Sequence, residues 1–198
     1  MKIDLHVHCR ERSACSRASE NDLIQHAISI GLDAIAFTDH DCLVSPTHLA
    51  ELNQRFAPFQ IFGGIEITLP EEHVLVFGVQ DPALESQAWN YSDLWHFVRQ
   101  KSGLMALAHP FRFQNYIGAA IDQYPPDAIE IHSLNTDPRH ETRIRSIAEN
   151  LDLRLLSNSD AHITSPLGRF YNQLPGRPQD DQQLIAELKN PFQHVRFL

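Results

Sequence analysis

Histidine and carboxylate residues recur in this chain within short apolar segments. In the segment IDLHVH, the period-two alternation of a strand places Asp4, His6 and His8 on one face. The same alternation places the apolar residues Ile3, Leu5 and Val7 on the other face, where they can pack under helices. Imidazole and carboxylate groups without paired thiolates suit zinc, manganese or iron. An HxH pair alone is a weak indication, because a lone strand-end histidine is more often solvated or hydrogen-bonded than bound to a metal.

The same residue types recur at the ends of other apolar segments. They are Asp39 and His40, Glu66, His73, His109, Glu130 and His132, and finally Asn158, Asp160 and His162. Each of these residues could also have a purely structural role. Glu66, for example, lies between two isoleucines and could be one partner of a buried ion pair. Together they indicate a metal site, because burying so many titratable groups is costly unless a cation holds them. We interpret Asp4, Asp39 and Asn158 as groups that orient the ligating rings.

The elements that would position these residues alternate between strands and helices. The predicted strands are Ile3–His8, Asp33–Thr38, Gln60–Thr68, His73–Val79, Leu104–His109, Ala128–His132 and Leu153–Ser159, with a further candidate at His194–Phe197. The predicted helices begin near Ser19, Ser45, Ser92 (as the cap of Asp93–Ser102), Asp137 and Gln179. This alternation predicts a parallel α/β sheet with helices outside it.

The favoured fold is a distorted (β/α)7-type barrel with a metal site at the C-terminal ends of its strands. An open doubly wound sheet is the alternative. Because no repeat, low-complexity tract or linker divides the sequence, we expect residues 1–198 to form one domain.

Composition narrows the classes of function. The formal charge of -9, from 16 basic and 25 acidic residues, argues against an extended nucleic-acid surface. A metal cluster would still admit an anionic substrate, because it reverses the local field. Cys9, Cys15 and Cys42 form no CxxC pair, and no apolar run approaches the ~20 residues that cross a bilayer. We therefore expect a cytoplasmic protein with reduced thiols and no membrane partner.

Taken in order, these motifs resemble the polymerase and histidinol phosphatase (PHP) family of metal-dependent phosphoesterases. The matching segments run nearly end to end: DLHVH (4–8), FTDHD (37–41), GIEIT with the downstream HVLVFG (64–78), LAHPFR (107–112) and NSDAH (158–162). The ordered set is far more specific than any single motif. The resemblance implies a distorted barrel of about seven β/α units.

The resemblance also implies two or three divalent ions of zinc, manganese or iron. The ligand sets it implies are His6, His8, Glu66 and Asp160 for the first ion, His40 and His162 with one more residue for the second, and Glu66, His73 and His109 for the third. The missing ligand of the second ion would fall near Ala14, where the sequence departs from the family pattern. Glu11 and Cys15 are the nearby substitutes, and neither spacing is convincing. If only two ions bind, His40 and His162 could act on the substrate instead.

The function implied is hydrolysis of a small phosphate ester, either a phosphomonoester or a nucleotide. A hydroxide that bridges two ions beside Glu66 would be the nucleophile. Asp160 or His162 would accept the proton of the water that forms this hydroxide. His40 or His162 would protonate the leaving oxygen. Arg112 is the best-placed residue to hold a phosphate, and Arg17 and Arg12 are weaker candidates. The alternatives are a C–N amidohydrolase, which uses the same nucleophile on a carbonyl, and a non-catalytic metal-stabilised module.

Overall fold

The computed structural model describes residues 1–190, and its strands form one continuous sheet. The strands are β1 (Lys2–Val7), β2 (Ala34–Phe37), β3 (Gln60–Thr68), β4 (His73–Phe77), β5 (Leu104–Ala108), β6 (Ala128–His132), β7 (Arg154–Ser157) and β8 (Asn172–Gln173). Their spatial order is β7-β6-β5-β4-β3-β2-β1-β8. All seven predicted strands within residues 1–190 are present, whereas the candidate at His194–Phe197 lies outside the described residues.

Helices connect most of the strands. They are α1 (Glu20–Ser29), α2 (Pro46–Phe56), α3 (Ala83–Ser86), α4 (Tyr91–Gln100), α5 (Glu141–Leu151) and α6 (Asp181–Lys189), with a 3-10 turn at Pro138–His140. Ser19 and Ser45 cap α1 and α2 as predicted, each accepting a backbone N–H with its side chain. The prediction that Ser92 caps α4 was wrong, because Asn90 accepts the Asp93 N–H at 2.9 Å. None of the helices among residues 1–190 is long and apolar enough to cross a membrane.

The strand β4 departs from the predicted parallel arrangement. It pairs antiparallel with both β3 and β5, opposite Thr68 at its first residue, His73. Residues 69–72 are the only connection between β3 and β4, and a parallel crossover needs a dozen or more residues. The chain therefore reverses in a hairpin. As a consequence, the start of β4 lies at the same edge of the sheet as the ends of its parallel neighbours.

A β-bulge changes the facing of residues along β1. The register with β2 shifts between Asp4 and Val7. Ile3 and Leu5 therefore belong to the apolar cluster on the inner face of the sheet, which includes residues of α6, whereas Val7 packs with α1 and α2. The prediction that the three apolar residues share one face was wrong at this point, because strict alternation assumes an unbroken register.

The sheet curls until its two ends meet, so that the strands of the described chain form a nearly closed barrel. Val7 bridges Ala161, whose carbonyl accepts the His8 N–H at 2.9 Å. The buried Asn172 side chain accepts the Ser157 N–H at 2.9 Å. These contacts join the end of β7 to β1 and β8. The distorted α/β barrel predicted from the sequence is thus confirmed.

Candidate metal centre

One end of the barrel gathers all of the side chains that the family resemblance implied as ligands. His6 and Glu66 lie within strands, His73 begins β4, and the others follow the ends of strands. These others are His8 after β1, His40 after β2, His109 after β5, and Asp160 and His162 after β7. The parallel strands bring their C-terminal ends to this rim, and the reversed β4 brings its first residue there.

Glu66 lies at the centre of the cluster and is fully buried. Its Oε2 atom is 3.2 Å from His6 Nε2 and 3.1 Å from His8 Nε2. Its Oε1 atom is 2.8 Å from His73 Nδ1 and 3.0 Å from His109 Nε2. Oε2 is also 3.3 Å from His40 Nδ1. Each carboxylate oxygen therefore faces a separate set of imidazoles, which is the arrangement that a bridging carboxylate requires.

Asp160 completes a group with His6, His8 and Glu66. Its Oδ1 atom lies 3.4 Å from His6 Nε2 and 3.2 Å from His8 Nε2. Although His6 Nε2, His8 Nε2, Glu66 Oε2 and Asp160 Oδ1 are buried, none has a hydrogen-bond partner within residues 1–190. Buried polar atoms are normally paired, so four converging orphans need an explanation. A cation bound between them supplies one, and the residues present therefore fit a divalent ion.

The charges in this cluster also favour a cation. Burial disfavours the charged form of His6, but the carboxylates of Asp160, Glu130 and Glu66 outweigh burial and raise the pKa of His6 well above its ordinary value. Burial acts against the charged form of Glu66 too, yet His6 and the hydrogen bonds from neighbouring histidines hold the pKa of Glu66 well below its ordinary value. The carboxylates thus stay ionised in a buried setting and attract positive charge.

His40 and His162 lie beside His8 at the more open side of the cluster. Their ring centroids are 4.6 Å and 4.3 Å from that of His8. Burial lowers the pKa of His40 to about 4. Burial, followed by repulsion from His8, lowers the pKa of His162 as well. One ligand atom from each of His8, His40 and His162 can meet within 4.8 Å, so a three-histidine group exists in this region.

The structure does not bring Glu11 or Cys15 into that group. Glu11 accepts the backbone N–H of Glu20 at 3.0 Å, and its own potential metal group contains Cys9 and Glu20. Cys15 is exposed and enters none of the potential metal groups within residues 1–190. Among residues 1–190, His40 also belongs to a second potential metal-binding group, whose other members are Glu66 and His73.

Glu130 has a part in the cluster that the sequence did not assign to it. Its Oε1 atom accepts from His6 Nδ1 at 2.9 Å and from Asn158 Nδ2 at 2.6 Å. Its Oε2 atom accepts the backbone N–H of His109 at 2.8 Å. A ligating histidine commonly donates its other ring nitrogen to a carboxylate. The position of Glu130 near the end of an apolar segment was the signal in the sequence, but it did not show which histidine the carboxylate would contact. His132, grouped with it by alternation, instead stacks on Phe170 with ring centroids 5.6 Å apart.

The three residues predicted to orient ligand rings act less directly. Asp4 accepts the backbone N–H groups of His6 and Ser159, because the β1 bulge separates it from the face of the histidines. Asp39 accepts the Ser13 hydroxyl at 2.7 Å, and Ser13 Oγ lies 3.4 Å from His8 Nδ1. Asn158 reaches His6 only through Glu130. All three are thus linked to the histidines through an intervening group or the backbone, and their role in orienting the rings stays a prediction.

The candidate arginines occupy three different settings. Arg112 lies at the cluster, with Nη1 3.8 Å from Asp160 Oδ2. Arg12 is held by Asp39 and Glu20 at 2.8 Å and 2.9 Å, so it supports the loop after β1. Arg17 is exposed and lines a surface cleft beside α1 with Ile163 and Thr164. Only Arg112 is thus placed next to the ligand cluster.

A barrel with a buried histidine and carboxylate cluster at its rim defines the architecture of a metal-dependent hydrolase. The chain belongs to the PHP domain family, whose model matches residues 4–197. Family membership confirms the resemblance and indicates a metal-dependent hydrolase, without specifying the bond that is hydrolysed. No curated protein matches the sequence.

Several solved structures share the fold. PsfC from Pseudomonas syringae PB-5123 is 21% identical with a TM-score of 0.74, over 100% of this chain and 90% of that one. A candidate metal-dependent phosphoesterase from Bifidobacterium adolescentis is 15% identical with a TM-score of 0.71, over 94% and 95%. An amidohydrolase from Chromobacterium violaceum with bound sulfate is 14% identical with a TM-score of 0.70, over 95% and 97%. At these identities, the likeness shows the shared fold alone.

Proposed function

We propose that this protein is a metal-dependent phosphoesterase that hydrolyses a small phosphate ester. The observation that carries the proposal is Glu66, whose two carboxylate oxygens face separate sets of histidines in a buried cluster with Asp160. The adjacent Arg112 adds a fixed positive charge at the rim of the same cluster.

The cluster has ligands for at least two ions of zinc, manganese or iron. His6, His8, Glu66 and Asp160 would hold one, and Glu66, His73 and His109 would hold another. His40 and His162 would bind a third ion with His8 or face the substrate. When bound, such ions lower the pKa of coordinated water towards neutrality and offset the negative charge of a phosphoryl group.

Arg112 favours a phosphate ester over an amide as the substrate. A guanidinium binds phosphate oxygens through charge-assisted, often paired hydrogen bonds. About a third of the Arg112 side chain is open to solvent, and Nη1 is 3.8 Å from Asp160 Oδ2, so it can reach a phosphate at the cluster. A neutral amide carries no negative charge, so the guanidinium would attract it much less strongly than a phosphate.

His162 is the residue best placed to move a proton. Its Nδ1 atom donates to the Asp160 carbonyl at 3.1 Å, which fixes the tautomer. Nε2 is then the ring atom that can accept a proton from attacking water or deliver one to the leaving oxygen. His40, whose side chain is also partly open, is the second candidate for proton delivery.

Hydrolysis assays with matched chromogenic substrates test this proposal. We expect the protein loaded with Mn²⁺ to hydrolyse p-nitrophenyl phosphate, to lose this activity with a chelator, and not to cleave the amide p-nitroacetanilide. Glu66→Ala and Glu66→Gln should lose activity and at least one bound ion by elemental analysis, because one carboxylate serves two ions. The exposed Glu71→Ala is the control. Full activity with unchanged metal content in the Glu66 variants would contradict the bridging role, and amide cleavage would favour an amidohydrolase.

A further inference from the structure

The loop that follows β5 is anchored to its surroundings at several points. Phe111 is buried, and Arg143 Cζ lies 4.2 Å from its ring centroid. Arg143 Nη1 also donates to the Asn115 carbonyl at 3.0 Å. Further along, the buried Glu72 carboxylate accepts the Gly118 N–H at 2.8 Å. This loop is therefore held in place over the edge of the metal centre.

Phe113 projects from this anchored loop beside the cluster. It is 54% exposed, although a phenyl ring ordinarily gains by burial. Its ring centroid lies 5.0 Å from that of His73 and 6.0 Å from that of His109. The guanidinium carbon of Arg112 lies 5.2 Å from the same centroid, a distance that permits a cation–π interaction. One exposed aromatic side chain thus contacts two proposed ligands and the proposed phosphate-binding residue.

We propose that Phe113 is a stacking surface for a planar ring in the substrate, and that the preferred substrate is a phosphate ester that also carries an aromatic ring, such as a nucleotide. This inference rests on the proposed phosphoesterase function and specifies its substrate class. Arg112 and the metal centre would take the phosphate while the ring of the substrate packs on Phe113. Aromatic stacking on an exposed side chain needs only a π-face, so it selects for ring-bearing substrates without requiring a particular base.

A simple apolar cover is the competing explanation for Phe113. A leucine at this position would still exclude water from His73 and His109, but it offers no aromatic face. Phe113→Leu therefore separates the two explanations, and Phe113→Trp should preserve stacking. Tyr116→Leu is the matched control, because Tyr116 is 56% exposed on the same loop.

The first experiment compares kcat/KM of the Mn²⁺-loaded protein for adenosine 5′-monophosphate and ribose 5-phosphate, which share the phosphate and the ribose. Loss of one stacked ring typically weakens binding roughly 5- to 150-fold. We expect Phe113→Leu to lower kcat/KM for the nucleotide by a factor in this range, mainly through KM, and to change the value for ribose 5-phosphate less than twofold. Phe113→Trp and Tyr116→Leu should resemble the wild type. An equal loss on both substrates in Phe113→Leu would overturn the stacking role.

The second experiment measures binding without turnover. Adenosine has no phosphate ester to hydrolyse, and it should quench the added tryptophan fluorescence of Phe113→Trp, whereas ribose should not. Wild-type protein, with Trp89 and Trp95 alone, gives the background. Absence of quenching overturns the stacking proposal even if phosphatase activity is present. Should the wild type hydrolyse neither phosphate ester, the proposed function fails, and the quenching result still decides whether Phe113 stacks on a base.

Discussion

At the scale of single residues, Glu130 holds His6 in its orientation within the candidate metal centre. Because Glu130 Oε1 accepts from His6 Nδ1 at 2.9 Å, the tautomer with the proton on Nδ1 is favoured. Nε2, which points at Glu66 and Asp160, is then the ring nitrogen at which a bound cation would replace the proton. One buried carboxylate outside the proposed ligand set is thus placed to orient a proposed ligand nitrogen towards a cation.

We expect Glu130→Gln to weaken metal binding by roughly 10- to 100-fold, the usual effect of removing a group that orients a ligand. The amide nitrogen of glutamine would face either His6 Nδ1 or the His109 N–H, both of which donate to Glu130 in the native protein. Titration of the chelator-treated protein with Zn²⁺ measures this change. Glu149→Gln on the exposed face of α5 is the control. Equal affinities of Glu130→Gln and wild type would show that Glu130 does not prepare His6.

At the scale of elements, the β3–β4 hairpin brings His73 to the rim and also packs tightly beneath it. Gly64 in β3 pairs with Phe77 in β4. A Cβ atom at position 64 would lie 2.9 Å from two atoms of the Phe77 ring and 3.0 Å from Thr38 Cγ2. Both neighbours are fully or almost fully buried and have little room to move. The hairpin therefore depends on a glycine for close approach rather than for an unusual backbone angle.

We expect Gly64→Ala to lower the free energy of unfolding by about 1 to 3 kcal/mol, as is typical when a well-packed core is overfilled. Urea denaturation followed by circular dichroism would measure the loss. A compensating Gly64→Ala/Phe77→Leu double variant, which removes the crowded ring atoms, should recover part of the stability. An unchanged midpoint in Gly64→Ala would mean that Phe77 can move aside.

At the scale of the whole molecule, a polar network of asparagines closes the barrel. Asn172 in β8 accepts the Ser157 N–H at 2.9 Å and donates to Asn158 Oδ1 at 2.7 Å. Asn158 in turn accepts the Leu5 N–H at 3.1 Å. These residues are fully buried, so each group has lost its hydration and depends on its partner. The network joins strands from both ends of the chain.

We expect Asn172→Ala to destabilise the protein by about 1 to 3 kcal/mol, because it leaves the buried Ser157 N–H unpaired and removes one of the two hydrogen bonds that Asn158 Oδ1 accepts. Chemical denaturation of the metal-free protein would measure this without a contribution from bound ions. The exposed neighbour Gln173→Ala should be close to wild type. If the two variants unfold at the same denaturant concentration, the network is not what holds the barrel closed.

The sequence by itself determined seven of the eight strands of the described chain and the identity of the clustered side chains. Alternation and strand-end position are local properties, so His6, His8 and Asp160 could be recognised without knowing how the chain folds. The two-residue strand Asn172–Gln173 and the short helix Ala83–Ser86 escaped prediction, because neither is long enough to show a period. The bulge in β1 escaped as well, since a register shift leaves the residue pattern unchanged.

Only the tertiary structure decided which residues meet. The reversal at β4 places His73 within 2.8 Å of Glu66, and the curvature of the sheet brings Glu130 to His6, 124 positions away along the chain. Likewise, Arg112 lies at the cluster whereas Arg12 is taken up by Asp39 and Glu20. The physical reason is that periodicity reports the environment of each residue within its own strand or helix. Contacts between distant segments depend on strand order, strand direction and barrel closure, which arise only when all of the elements pack together.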